Sequence, residues 1–118
     1  MRTRIELATA RGRSDTLLVL LPPALASIDD FYTQGFVEAV RQRQLSMDLL
    51  LADISGQQVL DRTVVVDLHE HVVKPAWSNG YRTIWLAGIS LGAFSALHYA
   101  ARHADLLAGL YLLSPYPG

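Results

Sequence analysis

The sequence predicts an α/β fold: a mostly parallel twisted sheet of about five strands with helices on both faces. Three observations lead to this prediction. Continuous apolar runs recur at residues 16–21, 47–52, 83–87 and 108–113, as strands covered on both faces require. Segments of helical length separate these runs, and parallel neighbours need such crossovers. Finally, 51% of the 118 residues are hydrophobic, which is enough for a single domain (residues 1–118) with a buried core.

Composition excludes several classes of function. Lys and Arg number 10 against 11 acidic residues, a net charge of −1, so neither a nucleic-acid partner nor a membrane partner is expected. The absence of cysteine rules out disulfides and thiolate metal sites. Neither G-x-G-x-x-G nor G-x-x-x-x-G-K-[ST] occurs, which makes a nucleotide-binding domain a weak alternative. We therefore expect no cofactor and no metal.

The N-terminal segment has the outline of a signal peptide. Four arginines precede the apolar residues 17–21, and residues 24–26 resemble a small-residue cleavage site. Against this interpretation, Glu6 and Asp15 interrupt the basic region, and a Pro-Pro pair at 22–23 breaks the apolar run. The predicted sheet also needs residues 17–21 as part of a strand. We therefore predict a cytoplasmic protein.

The first half of the chain predicts an edge strand, a buried strand and a helix. Residues 2–8 alternate between polar and apolar, as a half-exposed edge strand does. The loop after the strand at 16–21 leaves its C-terminal end, where ligands bind in parallel sheets. Ser27, with an acid three residues later, matches a capping box, and the helix should run to about Gln44. Its inward stripe is expected to be Phe36, Val37 and Val40.

The segment 61–79 is ambiguous, because its β-branched run at 63–66 also suits a strand. We predict a helix here, since parallel strands on either side need a crossover. Pro75 should kink or restart this helix, and Asn79 with Gly80 should form its C-cap. The stripe expected to face the sheet is Val65, Leu68, Val72 and Ala76.

The most informative stretch is 83–97, where a β-rich apolar run enters Gly-Ile-Ser-Leu-Gly and leaves into an alanine-rich helical pattern. This context is typical of a nucleophile elbow, with serine at the apex of a strand–turn–helix. Gly88 and Gly92 would let strand and helix approach closely. Ser90 would then lie at a helix N-terminus, which favours developing negative charge, and the Leu91 N–H is the expected first oxyanion donor. A plain small-residue turn is the alternative.

The helix after the elbow should run from Leu91 to about His103. Its buried residues are expected to be Phe94, Leu97, Ala101 and Ala104.

The order strand, loop, helix, strand, helix, strand, elbow, helix, strand resembles the N-terminal half of the α/β-hydrolase superfamily over nearly the whole chain. The resemblance implies a serine hydrolase acting through Ser90 on an ester, thioester or similar acyl substrate, a small molecule. The family places its acid after a later strand and its histidine beyond the last, so both would lie past residue 118. We therefore expect an inactive fragment of a longer enzyme. The alternative is a non-catalytic hydrolase-like binding or assembly domain.

The resemblance also implies that the second oxyanion donor comes from the loop after Leu21. Many relatives have His-Gly there, whereas this chain has Pro-Pro-Ala at 22–24. Proline has no N–H to donate. The candidates are the backbone N–H groups of Ala24 and Leu25, and the sequence does not choose between them.

The histidines and the strand-end carboxylate do not complete a triad. Two histidines on the elbow helix would lie about 12 and 20 Å along its axis from Ser90, beyond the roughly 3 Å that a base needs. Asp53 ends a strand on the same side, but the usual sheet order separates it from the elbow strand by about 10 Å, which predicts a solvated loop carboxylate. Four histidines are expected at the surface or on helix flanks: His69, His71, His98 and His103.

The strand at 108–113 would form an apolar sheet edge without a neighbour. Such an edge recruits another strand. We therefore predict a homodimer in which this strand continues the sheet across a two-fold axis.

Overall fold

The structure, a computed structural model, describes residues 1–8, 14–23, 28–33, 35–42, 46–55, 57–58 and 62–113. Within these ranges five strands form one sheet in the order β1-β3-β2-β4-β5. The strands are β1 (Thr3–Glu6), β2 (Thr16–Leu21), β3 (Asp48–Ala52), β4 (Thr83–Ile89) and β5 (Gly109–Leu113). Only the pairing of β1 with β3 is antiparallel, and the other three pairings are parallel. The predicted α/β class is confirmed.

Helices cover both faces of this sheet. They are α1 (Ile28–Thr33), α2 (Phe36–Gln42), α3 (Val64–Leu68), a π-helical turn (His69–Val73), α4 (Lys74–Ser78), α5 (Leu91–His103) and a 3₁₀ turn (Ala104–Leu106). One face packs against α3, α4 and α5 and holds the larger apolar cluster. The other packs against α1 and α2. Because β2 lies between β3 and β4 with helices on both sides, its continuous apolar run is buried on both faces.

The prediction of one continuous helix from Ser27 to about Gln44 is wrong. The structure has two short helices, α1 and α2, on either side of Gly35, whose φ is +81°. A left-handed residue cannot continue an α-helix, so the chain turns there and starts again. Val37 is buried as expected. Ser27 and the side chains of Phe36 and Val40 lie outside the described residues.

The predicted helix before β4 is present, with Pro75 accommodated by a π-helical turn. Proline has no N–H and its ring conflicts with the carbonyl four residues earlier. Immediately before it, the Lys74 N–H donates to the carbonyl of His69, five residues back. The helix ends as predicted, because the N–H groups of Gly80 and Tyr81 donate to Trp77 and Ala76. These two bonds, with Gly80 at φ +97°, form a Schellman cap.

The expected inward face of α5 is wrong. Leu97 is 40% exposed, and Ala101 and Ala104 are exposed as well. The residues that face the core are Gly92, Ala93, Ser95, Ala96 and Tyr99. The close approach of the helix to the sheet selects small side chains at its start, so Leu97 faces solvent and Phe94 is only half-buried.

Candidate active site

Ser90 lies where β4 ends and α5 begins. Its backbone has φ 53° and ψ −110°, outside the regions that L-residues ordinarily occupy. The Ser90 N–H donates to the carbonyl of Leu113 in β5 at 2.8 Å, and the Ser90 carbonyl accepts from Ala93 and Phe94 in the first turn of α5. The surrounding chain therefore holds this residue in a strained conformation at the rim of the sheet.

Two glycines make this turn possible. A Cβ on Gly88 would lie 2.3 Å from the carbonyl oxygen of Gly92. A Cβ on Gly92 would lie 2.2 Å from the carbonyl oxygen of Leu21 and 2.8 Å from that of Pro22. The strand, the helix and the start of the loop after β2 are thus in backbone contact around Ser90. This strand–turn–helix is the geometry that the sequence predicts.

Among the described residues, the N–H of Leu91 at the N-terminus of α5 has no acceptor and lies beside Ser90. Leu91 is the first helical residue, so its N–H has no acceptor within the helix. The Ser90 hydroxyl makes no hydrogen bond within the part of the chain that the structure describes. An anion forming at this position would meet backbone donors and the positive end of the helix dipole. Ala24 and Leu25, predicted as alternatives for the second donor, lie outside the described residues.

Asp53 is not the solvated loop carboxylate that we expected. Its side chain is only 26% exposed, and its Oδ1 accepts the N–H of Ile28, the first residue of α1, at 2.7 Å. Its Oδ2 lies 3.4 Å from a guanidinium nitrogen of Arg2. Asp53 therefore holds the start of α1 in place. It does not reach Ser90, because β2 lies between β3 and β4.

Two histidines belong to a cluster that sequence reasoning missed. The fully buried Tyr99 pairs through its hydroxyl with Nδ1 of His69 at 3.0 Å. The ring of His103 stacks on that of His69 with centroids 4.3 Å apart. Burial raises the pKa of Tyr99, and the Asp105 carboxylate adds to this shift. The sequence feature that could have indicated this cluster is the i, i+4 spacing of Tyr99 and His103, which places both rings on one side of the helix.

None of the four histidines serves Ser90 within the described structure. His71 and His98 are exposed. The other two histidines join the π-helical turn to α5, and their partner on α5, Tyr99, is about 13 Å along the helix from Ser90. No group of three His, Asp or Glu side chains in the described ranges is arranged to hold a metal. The described site is therefore a serine at an elbow with one backbone donor, and its acid and base stay predictions.

The strain at Ser90 yields a stability prediction. Ser90→Gly should stabilise the protein by about 1 kcal/mol, since relief of about 1–3 kcal/mol of backbone strain outweighs the extra freedom of glycine in the unfolded chain. Urea unfolding measures the change. The matched control is Ser95→Gly inside α5, which should instead destabilise by about 1 kcal/mol. Equal destabilisation by both substitutions would contradict the strain argument.

Comparison with solved structures identifies the fold. A structure of Est1E from Butyrivibrio proteoclasticus with bound ferulic acid superposes with a TM-score of 0.73 at 18% identity, over 92% of this chain and 46% of that one. MenH from S. aureus superposes with a TM-score of 0.65 at 17% identity, over 93% and 41%. A ferulic acid esterase gives 0.66 at 16% identity, over 95% and 52%.

The chain thus spans about half the length of these proteins and matches their N-terminal part. No protein-family model matches the sequence, and neither does any curated protein. Among the described helices, none has the length and apolar character needed to cross a lipid bilayer. The structural likeness, together with the elbow at Ser90, shows that this chain has the fold of the N-terminal part of an α/β-hydrolase.

Proposed function

We propose that the protein is part of a serine hydrolase that cleaves a carboxylic ester, a thioester or a similar acyl compound, with Ser90 as nucleophile. The observation that carries the proposal is the strained backbone of Ser90 at the junction of β4 and α5. A hydrolase fold alone supports many functions. A serine held at φ 53° between two obligatory glycines has no structural purpose that a glycine would not serve better, which supports a chemical role.

In the proposed reaction, Ser90 Oγ attacks the acyl carbonyl carbon while its proton passes to a histidine base. The carbonyl oxygen becomes an oxyanion that accepts from the Leu91 N–H and from Ala24 or Leu25. Collapse expels the alcohol or thiol, which takes the proton from the base, and water then hydrolyses the acyl-serine by the same route. Loss of one oxyanion donor typically costs about 10²–10³ in rate.

The base and the acid are proposed to lie outside residues 1–118. On the β2 side of Ser90, the carbonyls of Leu21 and Pro22 fill the space against Gly92. On the other side, β5 is the last strand of the sheet among the described residues, and we propose that the base approaches Ser90 from there. Without a base, the hydroxyl of Ser90 stays neutral and weakly nucleophilic. The 118-residue chain alone is therefore expected to be inert.

A fluorophosphonate probe tests this proposal. A protein that includes the residues encoded after codon 118 should be labelled at Ser90, and its Ser90→Ala variant should not. Ser95→Ala, which changes a nearby serine inside α5, is the control and should be labelled like the wild type. The 118-residue chain should react no faster than Ser90→Ala. Labelling of the longer protein at another residue, or no labelling, would overturn the proposal.

A non-catalytic assembly domain is the second candidate, because β5, the last strand among the described residues, carries no charge and exposes the side chains of Tyr111 and Leu113. A stop codon directly after codon 118 would favour it over the hydrolase. For either function we propose a cytoplasmic location. It is supported by the place of β2 in the middle of the sheet, since cleavage near residue 26 would remove this strand. Mass spectrometry of the native N-terminus tests the location, and a mature start near Ser27 would contradict it.

A further inference from the structure

The loop after β2 is held at both of its ends by other parts of the sheet. At the near end, the carbonyl of Leu21 is in backbone contact with Gly92 in the first turn of α5. At the far end, the N–H of Ile28 donates to Oδ1 of Asp53 at 2.7 Å. Residues 22–27 connect these two points. Because a short connection loses conformational freedom when both of its ends are held, each of the two contacts restricts where the residues between them can lie.

The position of Asp53 comes from the pairing of β1 with β3. The antiparallel ladder continues for one residue beyond these strands, so that the Asp53 N–H donates to the carbonyl of Arg2 at 3.0 Å. The guanidinium of Arg2 lies 3.4 Å from Oδ2 of the same carboxylate. Oδ1 is the oxygen that accepts from Ile28. Both the backbone and the side chain of Asp53 are therefore held by the edge strand.

The bond between Asp53 and Ile28 does more than attach α1 to the sheet. The side chain of Ile28 is fully buried in a cluster with Leu20 and Leu49, and this apolar packing already holds the helix. Apolar burial is non-directional, whereas a hydrogen bond to a carboxylate is short and has a preferred geometry. Asp53 thus fixes the path by which the chain enters α1.

We propose that Asp53 is a positioning residue of the hydrolase, acting through the loop after β2 and not on the substrate. The inference rests on the proposed function, in which the second oxyanion donor is the N–H of Ala24 or Leu25. Such a donor must lie about 2.7–3.1 Å from the developing oxyanion, and a misplacement of about 1 Å can cost about 10²-fold in rate. Loss of the acceptor at Asp53 frees the far end of the loop and so weakens the bond to the oxyanion.

Kinetics of the protein that includes the residues encoded after codon 118 test this inference, with a fluorophosphonate probe and p-nitrophenyl butyrate. Asp53→Ala should slow labelling of Ser90 about tenfold or more, and kcat for the ester should fall similarly while KM changes less than about twofold. Asp53→Asn keeps an oxygen that accepts the Ile28 N–H and should recover most of the rate. The matched control is Asp29→Ala, which removes the other carboxylate beside Arg2, at 3.7 Å, and should react like the wild type.

The rate constant of labelling separates positioning from stability. If Asp53→Ala only unfolded part of the protein, the labelled fraction would fall and the folded remainder would react at the wild-type rate. That result would overturn the inference, as would an Asp53→Asn variant as slow as Asp53→Ala. An Asp53→Ala variant that does not fold, as judged by circular dichroism, would show that the carboxylate is needed for the fold itself, and would overturn the inference as well. An unlabelled wild type would instead overturn the proposed function, and this inference with it.

Discussion

Gly92→Ala is expected to destabilise the protein by about 3 kcal/mol or more, a large part of the roughly 5–15 kcal/mol that keeps a domain folded. The added methyl group would lie 2.2 Å from the carbonyl oxygen of Leu21 and 2.8 Å from that of Pro22. Both atoms are backbone, one of them at the end of the central strand β2, so neither can rotate away as a side chain would. Urea unfolding followed by circular dichroism measures the loss.

Alanine substitutions at two other glycines should cost less stability than Gly92→Ala. Gly109→Ala meets only the ring of Trp85, a side chain that can move, and should cost less than Gly92→Ala. Gly35→Ala has open space around the new Cβ and should cost about 1–2 kcal/mol, from its φ of +81° alone. If Gly92→Ala unfolded at the same urea concentration as Gly35→Ala, the close contact between helix, strand and loop would not be what fixes the elbow.

Local patterns in the sequence are enough to locate the elements around the elbow. Strand β2 occupies the predicted residues because its apolar run ends at two prolines, and α5 occupies the predicted Leu91–His103. The cap at Gly80 is also confirmed. In each case the residue that marks the boundary is adjacent to the element in sequence, so the prediction does not depend on contacts with distant parts of the chain.

The features that could not be predicted depend on contacts between distant parts of the chain. The inward face of α5 follows from the closeness of Gly92 to Leu21, which no periodicity within the helix reveals. The role of Asp53 follows from a hydrogen bond to Ile28, 25 residues away. The Tyr99–His69 pair spans 30 residues. Polar partners at such separations become visible only once the strand order is known.

The clearest of these hidden partners is Asp48, for which no role was predicted. It is fully buried at the start of β3. Its Oδ1 accepts the N–H groups of Ala8 at 2.8 Å and Ser14 at 3.1 Å, and its Oδ2 accepts the hydroxyl of Tyr81 at 2.6 Å. This carboxylate therefore links three parts of the chain: Ala8 after β1, Ser14 before β2, and Tyr81 after the cap at Gly80.

Asp48→Ala is expected to cost about 3–5 kcal/mol, because two backbone N–H groups and one phenol lose their acceptor at a fully buried side chain. Tyr81→Phe removes a single bond and should cost about 1–2 kcal/mol. Asp48→Asn keeps one acceptor oxygen, so its loss of stability should lie between those of Asp48→Ala and Tyr81→Phe. Because Asp48 and Tyr81 share a bond, the double variant Asp48→Ala/Tyr81→Phe should lose less than the sum of the single losses. Strict additivity in urea unfolding would mean that the phenol and the carboxylate stabilise the sheet independently.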